Sequence, residues 1–462
     1  LGHYFVTGSR ENSGFTPQSV RQIPRIFGNI AARRLQAYGY AIAAFYAATL
    51  LRLYCEGVWL LDRAGTPIYT EFTCQWIAGL LAVHGQTVSV YHPIEFLDIQ
   101  RTLVGPQASY GIWPYPPTYF LIFMPFSFLP YAAAFLTWNL VTLIACAAVV
   151  YFIARRPAAT LLVLASPFTA WNFVAGHNAF LTASLLGAAL LFLERKPVLA
   201  GFLIGCLTYK PHLGILVPVA LTAFRQWRAF ASAAITAILL ASASVATLGT
   251  DVWEALPRQF IWFASETLAA DASANPAQYW GKLQTVYGLV RYLNGSGTFA
   301  WLTQGATTFA TALLVWLVWK SRVRYQLKAA TLFTAALIAT PYAFATDMAA
   351  IAIPVAFLVS DQTRWGVLKG EQTIMKALVG MSFLIVLACG RVALGPIVII
   401  ALLGVIVRRM LYYRGEQAVL SRGEVTRARL HAAASLFPGV VGLKARQSQG
   451  GTTTVIYRGW LG

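Results

Sequence analysis

The chain has 462 residues, of which 58% are hydrophobic, 14% aromatic and 11% charged, and it carries a net charge of +19. So apolar a chain with so few charges excludes an ordinary soluble domain and implies a polytopic, all-α integral membrane protein. The basicity follows from topology, set out below, and no nucleic-acid partner is needed to explain it.

Apolar stretches read as spans at about 38–61, 134–154, 157–173, 178–194, 197–209, 211–224, 229–249, 299–319, 327–341, 348–360, 374–390 and 393–408. That makes about twelve transmembrane helices, several of them shorter than the ~20 residues of a full crossing. Basic residues near span ends stay cytoplasmic. A cytoplasmic N-terminus puts Arg33, Arg34, Arg155, Arg156, Arg195, Lys196, Arg225, Arg228, the Lys320–Lys328 cluster, Lys369, Lys376, Arg408 and Arg409 inside. That side then holds 27 basic and 6 acidic residues with both tails counted, against 8 basic and 10 acidic elsewhere. Both termini are therefore expected in the cytoplasm, and two long loops, 62–133 and 250–298, are expected outside it. Chemistry is expected in those loops. Residues 1–37 form a basic segment without the apolar core of a cleavable signal. Residues 38–408 form the transmembrane body, and 409–462 a tail to which no fold or role is assigned. The five cysteines have no CxxC spacing and are read as packing residues.

In the first outer loop, Thr70–Val83 has helical periodicity, with Phe72, Trp76, Leu80 and Val83 on one face and Glu71, Gln75 and Ala78 on another. An interfacial helix lying flat on the membrane is expected, its polar face toward an aqueous cavity. Glu71 behind Thr70 is also where an acid complements the helix dipole. Downstream, Trp113, Tyr115 and Tyr119 are either interfacial belt residues or a platform on which a sugar stacks. Pro116 and Pro117 are expected to start a short re-entrant helix that breaks near Pro125 and Pro130.

His177 and Asn178 fall at an outer span end. Lys210, in Thr208-Tyr-Lys-Pro-His-Leu-Gly, interrupts two apolar stretches whose far ends are both basic, so the chain must turn there. An ionisable group at membrane depth is a functional candidate; a structural lysine paired to a carbonyl or carboxylate is the alternative. In the second outer loop Trp280, Leu283, Tyr287 and Val290 read as the apolar stripe of an interfacial helix, with Lys282 off the stripe and either snorkelling or functional. Asp347 falls at another outer span end, and His177, Asn178 and Asp347 could face one cavity. Arg52 and Glu56, spaced i,i+4, read as a self-satisfied ion pair.

There is no Walker pattern, no GxGxxG opening a helix and no HExxH spacing. No nucleotide, cofactor or metal is expected, and an enzyme working outside the membrane without nucleotide needs a donor delivered on a lipid.

Thr70-Glu71-Phe72 with Trp76-Ile-Ala-Gly, Tyr115-Pro-Pro continuing to Leu129-Pro-Tyr, Gly176-His-Asn, Lys196-Pro-Val-Leu-Ala-Gly, Thr208-Tyr-Lys-Pro-His-Leu-Gly, Trp280-Gly-Lys-Leu-Gln and Thr340-Pro-Tyr together resemble the GT-C superfamily of polyprenyl-phosphate-dependent glycosyltransferases. The similarity, over about 38–408, is greatest to glycosyltransferase family 87, which includes the mycobacterial phosphatidylinositol-mannoside mannosyltransferase. The resemblance implies a GT-C type fold with juxtamembrane helices in the first outer loop and an active site facing away from the cytoplasm. It also implies a bacterial inner (plasma) membrane, a polyprenyl-phosphate-linked sugar as donor, with mannose favoured, and a lipid or polysaccharide acceptor. The family's catalytic Asp after the first span corresponds to Glu71, one methylene longer. Gly176-His-Asn stands where Gly-Gln-Asn is expected. Glu71 would take the acceptor proton, and Lys210 and Lys282, with His177 as a third candidate, would hold the departing phosphate. Asn178, Tyr115 and Asp347 complete the expected substrate-binding set. A transporter or lipid flippase would usually have interrupted helices in two repeated halves, whereas one interruption and no repeat are visible. An oligosaccharide polymerase or ligase would use a pyrophosphate-linked glycan instead.

Overall fold

A computed structural model describes residues 25–106, 113–259, 280–388, 391–413, 444–447 and 453–456. Residues 1–24, most of the tail, Cys389 and the stretch 260–279 of the second outer loop lie outside the described residues. The chain divides into two compact units, Leu1–Ile406 and Val407–Gly462. The described residues of the first unit are helical apart from turns and isolated bridges. The second holds an antiparallel strand pair, Lys444–Gln447 with Thr453–Ile456, which the periodicity of the tail does not announce.

Four helices have the length and hydropathy to cross a membrane: Tyr131–Ala154, Trp227–Leu248, Gly297–Lys320 and Gly395–Tyr413. Along Trp227–Leu248, Ile235, Ile238 and Leu239 are all more than half exposed. Such a run of bare aliphatic surface suits lipid rather than water. The expected count of twelve is not reproduced: several helices, such as Ala179–Phe192 and Tyr325–Ala339, are short, and proline interrupts others. The stretch 157–173 is two helices, Pro157–Leu164 and Pro167–Ala175, because Ser166 ahead of Pro167 is extended (ψ 134°). The stretches 197–209 and 211–224 are likewise Pro197–Gly205 and Val217–Ala223 with 3₁₀ turns, Cys206–Tyr209 and Pro211–Gly214, between them. The first helix, Arg25–Cys55, ends sooner than the expected span, at a turn containing Gly57 (φ 69°). Its Arg52 and Glu56 pair at 2.7 Å as expected.

The centre of the first unit is Tyr325–Ala339, buried from Leu327 onward. It packs between Gly297–Lys320 and Ala352–Trp365.

The first outer loop differs from a helix lying flat in lipid. Glu71–Val83 is buried on nearly every side, Gln75 and Ala78 included, because the helix Thr118–Ser127 packs directly along it. That second helix starts after Pro117 and carries Pro125 within it, close to the expected re-entrant element.

Candidate active site

Glu71 opens its helix, which is fixed by a local cap. Thr70 N–H donates to Thr73 Oγ1 at 2.9 Å, and Tyr131 Oη reaches both threonine hydroxyls at 3.2 and 3.0 Å. With the helix start held by threonines, the Glu71 carboxylate is left to project elsewhere. Gly176 lies against the same turn. It sits in the left-handed region (φ 66°), and an added Cβ would come within 2.5 Å of Phe72 Cβ, so only glycine allows this approach. Gln75 Nε2 clasps the contact by donating to Gly176 O at 3.2 Å.

The approach brings His177 to Glu71. His177 Nε2 is 3.8 Å from Glu71 Oε2, and its Nδ1 is 3.7 Å from Asp347 Oδ1. Asp347 begins the 3₁₀ turn Asp347–Ile351 and is buried. Its Oδ1 takes a 2.5 Å contact from Lys210 Nζ, and its Oδ2 accepts the Phe344 N–H at 3.0 Å. Lys210 stands between the 3₁₀ turns Cys206–Tyr209 and Pro211–Gly214, so the helical run is interrupted there. Thr346 Oγ1 lies 3.5 Å from Glu71 Oε2. Four segments distant in sequence thus converge on two acids, a histidine and a lysine.

Lys282 approaches Glu71 from the second outer loop and is exposed. The expected helix there begins only at Val286, because Thr285 caps it by accepting the Gly288 N–H at 3.0 Å. Residues 281–285 are held as an irregular strap instead. Leu283 bridges to Phe344, Gln284 N–H donates to Ala343 O at 2.7 Å, and Gln284 Oε1 accepts the Gly395 N–H at 2.7 Å. A Cβ on Gly281 would overlap Arg391 O, which makes that glycine obligatory. Trp280, Leu283 and Tyr287 still pack together, with Ala300.

Trp113, Tyr115 and Tyr119 do not form a membrane belt. All three are buried, with Tyr115 4.5 Å from Tyr119 and 5.2 Å from Trp113 between ring centroids. Tyr119 stacks on Tyr209 at 4.9 Å and donates to Gln75 Oε1 at 2.5 Å. Asn178 leaves its helix uncapped and donates through Nδ2 to Tyr119 Oη at 3.2 Å. The Tyr115 hydroxyl also faces Asn178, and both Asp347 and Glu71 act on it electrostatically.

Glu71 has 47% of its side-chain surface open, yet its carboxyl is ringed by protein. Burial, and then the Asp347 charge, push it up to about 7, while Lys210, the Thr346 contact and Lys282 pull the other way. Burial and Lys210 drive His177 down to about 3, so the resting imidazole is neutral. Burial would raise Asp347, but Lys210 and His177 hold it well below the usual carboxylate range. Among the described residues no three His, Cys, Asp or Glu side chains are grouped to hold a metal ion.

The residues singled out in the sequence, Glu71, Tyr115, His177, Asn178, Lys210, Lys282 and Asp347, therefore lie in one region. Sequence reasoning passed over His212, whose charge acts on His177, and over Thr346 and Tyr209. His212 sits two residues beyond Lys210 in the same interrupting segment, the one signal that could have drawn it in.

Acids and cations gathered beside an apolar helical bundle define a membrane protein with an enzyme-like site. The model of glycosyltransferase family 87 matches residues 113–341, and the chain belongs to that family. It is a membrane glycosyltransferase. The matched stretch contains Tyr115, His177, Asn178, Lys210 and Lys282, while Glu71 precedes it and Asp347 follows it. No curated protein and no solved structure matches the chain.

Proposed function

We propose that the chain moves a single sugar, mannose by family resemblance, from a polyprenyl-phosphate donor to a hydroxyl of a lipid or glycan acceptor on the extracytoplasmic side of a bacterial inner membrane. The observation that carries this reading is Glu71, a half-open side chain whose carboxyl lies 3.8 Å from His177 Nε2, near enough to Lys282 and Lys210 to feel both charges, and is pushed up to about 7 by burial. A base for an acceptor hydroxyl should titrate near working pH and remain reachable. A departing phosphate needs cations already in place.

Glu71 takes the acceptor proton as the acceptor oxygen attacks the anomeric carbon. The bond from that carbon to the phosphate oxygen breaks, its electron pair leaving with the polyprenyl phosphate. Displacement by a single base inverts the anomeric centre. Lys282, exposed, meets the phosphate directly. Lys210, anchored by Asp347, adds a fixed positive charge and further N–H donors behind it. Asn178 and Tyr115 contact the sugar. The shorter apolar helices complete a bundle of about twelve crossings with both termini cytoplasmic.

The test uses purified protein with a panel of polyprenyl-phosphate sugars, membrane extract as acceptor, and mass spectrometry of the products. Transfer from the mannosyl donor with inverted linkage is expected. Transfer only from a pyrophosphate-linked glycan would replace this reading with a polymerase or ligase.

A further inference from the structure

His177 sits between two carboxylates of opposite character. Asp347 is settled, with one oxygen on Lys210 and the other on a backbone N–H. Glu71 is open and easily protonated. The His177 backbone is fixed from behind: its carbonyl accepts Asn172 Nδ2 at 3.2 Å, its backbone N–H reaches Asn172 O at 3.3 Å, and Gly176 is pressed against Phe72. Nδ1 is buried without a hydrogen-bond partner, 3.7 Å from Asp347. Both ring nitrogens stand less than about 1 Å beyond hydrogen-bond length from a carboxylate oxygen.

A neutral imidazole has one N–H and one lone pair, and its second partner decides which nitrogen carries which. A permanent anion at Asp347 demands the N–H on Nδ1. The lone pair then lies on Nε2, facing Glu71. Toward an ionised Glu71 that arrangement offers nothing. Toward a protonated Glu71 it offers an acceptor for the carboxyl O–H.

We propose that His177 is a positioning residue for the base: Asp347 fixes its Nδ1–H tautomer, and its Nε2 accepts the Glu71 O–H that forms as the acceptor hydroxyl is deprotonated. The contact exists only after the proton has moved, so it favours the transition state over the ground state. Proton balance is simple. The acceptor proton goes to Glu71 Oε2, shared with His177 Nε2, and returns to water after the products leave. Asp347, Lys210 and His212 are the charged and titratable groups around the ring, and Lys282, Tyr115 and Cys74 those around Glu71. A glutamine at 177, the residue the family resemblance leads one to expect, would present an N–H to one carboxylate and favour ionised Glu71.

The inference rests on the sugar-transfer reading, and its test keeps the two apart. In wild-type protein, ¹⁵N NMR of labelled histidine should find His177 protonated at Nδ1 and bare at Nε2; the opposite tautomer overturns the proposal whatever the enzyme transfers. In His177→Gln, kcat should fall about tenfold with donor KM within about twofold. The midpoint of its pH–rate profile should move about one unit toward lower pH, a tenfold change in the Glu71 protonation equilibrium. Unchanged kcat and midpoint would overturn the role. A raised donor KM with an unmoved midpoint would overturn it too, by assigning the ring to the phosphate. Wild-type protein that transfers no sugar from any donor would defeat the underlying reading and this inference with it.

Discussion

Two clusters of buried charge behave differently in this molecule. Around Arg324, every charge has been met. Its Nε and Nη2 hold the two oxygens of fully buried Asp361 at 2.7 and 3.0 Å, and its guanidinium lies 4.7 Å over Trp365. Nearby Lys328 donates to Trp319 O at 3.1 Å and lies 4.5 Å over Phe224. Around His177, one pair is tight and the remaining contacts stand at 3.7 and 3.8 Å, with Glu71 half open. A close ion pair, with one hydrogen bond between its partners and aromatic cover, joins helices and leaves little over for a ligand. Loose contacts among buried polar groups are characteristic of a site that completes itself when substrate or a proton arrives. On that difference we propose a structural role for the Arg324 cluster and a chemical one for the Glu71 cluster.

The largest effect expected from breaking the comparison is on turnover. Glu71→Gln keeps shape and hydrogen bonding but removes the base, and turnover should fall ~10² to 10⁴-fold. Donor binding and thermal stability should be retained, and Glu71→Asp should keep measurable activity. A Glu71→Gln enzyme at wild-type rate would return Glu71 to the role of a helix-dipole acid. Arg324→Met should do the reverse. It leaves Asp361 buried without its partner, a change that typically costs ~3 to 5 kcal/mol, seen as a lowered melting temperature with normal turnover in the protein that remains folded. A loss of turnover without loss of stability would make the Arg324 cluster part of the chemistry.

Residue type and spacing made the Glu71 cluster legible more readily than the architecture around it. Glu71 could be picked out behind Thr70, and Lys210 by its place between two apolar runs, because a charge in such a setting is costly without a purpose. What could not be read was contact. Periodicity gave the Glu71 helix but not its surroundings: Gln75 and Ala78, expected to face an aqueous cavity, are buried, and Thr118–Ser127 packs along the helix. The stripe from Trp280 to Val290 was real as a packed cluster and wrong as a helix, since Thr285 caps a helix that starts later and Gln284 ties the preceding residues to other segments. Proline cut several expected spans because hydropathy averages over breaks that backbone geometry does not ignore.

A smaller effect separates the two lysines of the site. Lys282 is exposed, so Lys282→Met should leave stability intact and raise donor KM about 10- to 100-fold, as loss of a hydrogen bond to a charged group implies. Lys210→Met should weaken the donor too, but it also strands Asp347, and reduced melting temperature should accompany it. Equal stability in both variants would mean that Asp347 does not depend on Lys210. Unchanged donor KM in Lys282→Met would return that side chain to snorkelling.

The smallest test uses no substitution at all. With Glu71 at about 7 against an ordinary value of 4.5, the base is lost to protonation as pH falls, and kcat/KM should drop about tenfold per unit below the midpoint. Stability should respond in the opposite sense. Between those two values the folded state holds a proton that the unfolded chain has released, so this group's contribution is fully present below 4.5 and is lost as pH rises through about 7. Half exposure of the side chain keeps the stability term small, and activity is the better readout. Lys282 lowers the Glu71 value, so Lys282→Met should move the midpoint upward, the direction opposite to that expected for His177→Gln. A pH–rate profile that stays flat between about pH 5 and 8 would mean that Glu71 is already ionised throughout and no less settled than Asp361, and the distinction between the two clusters would fail at its centre.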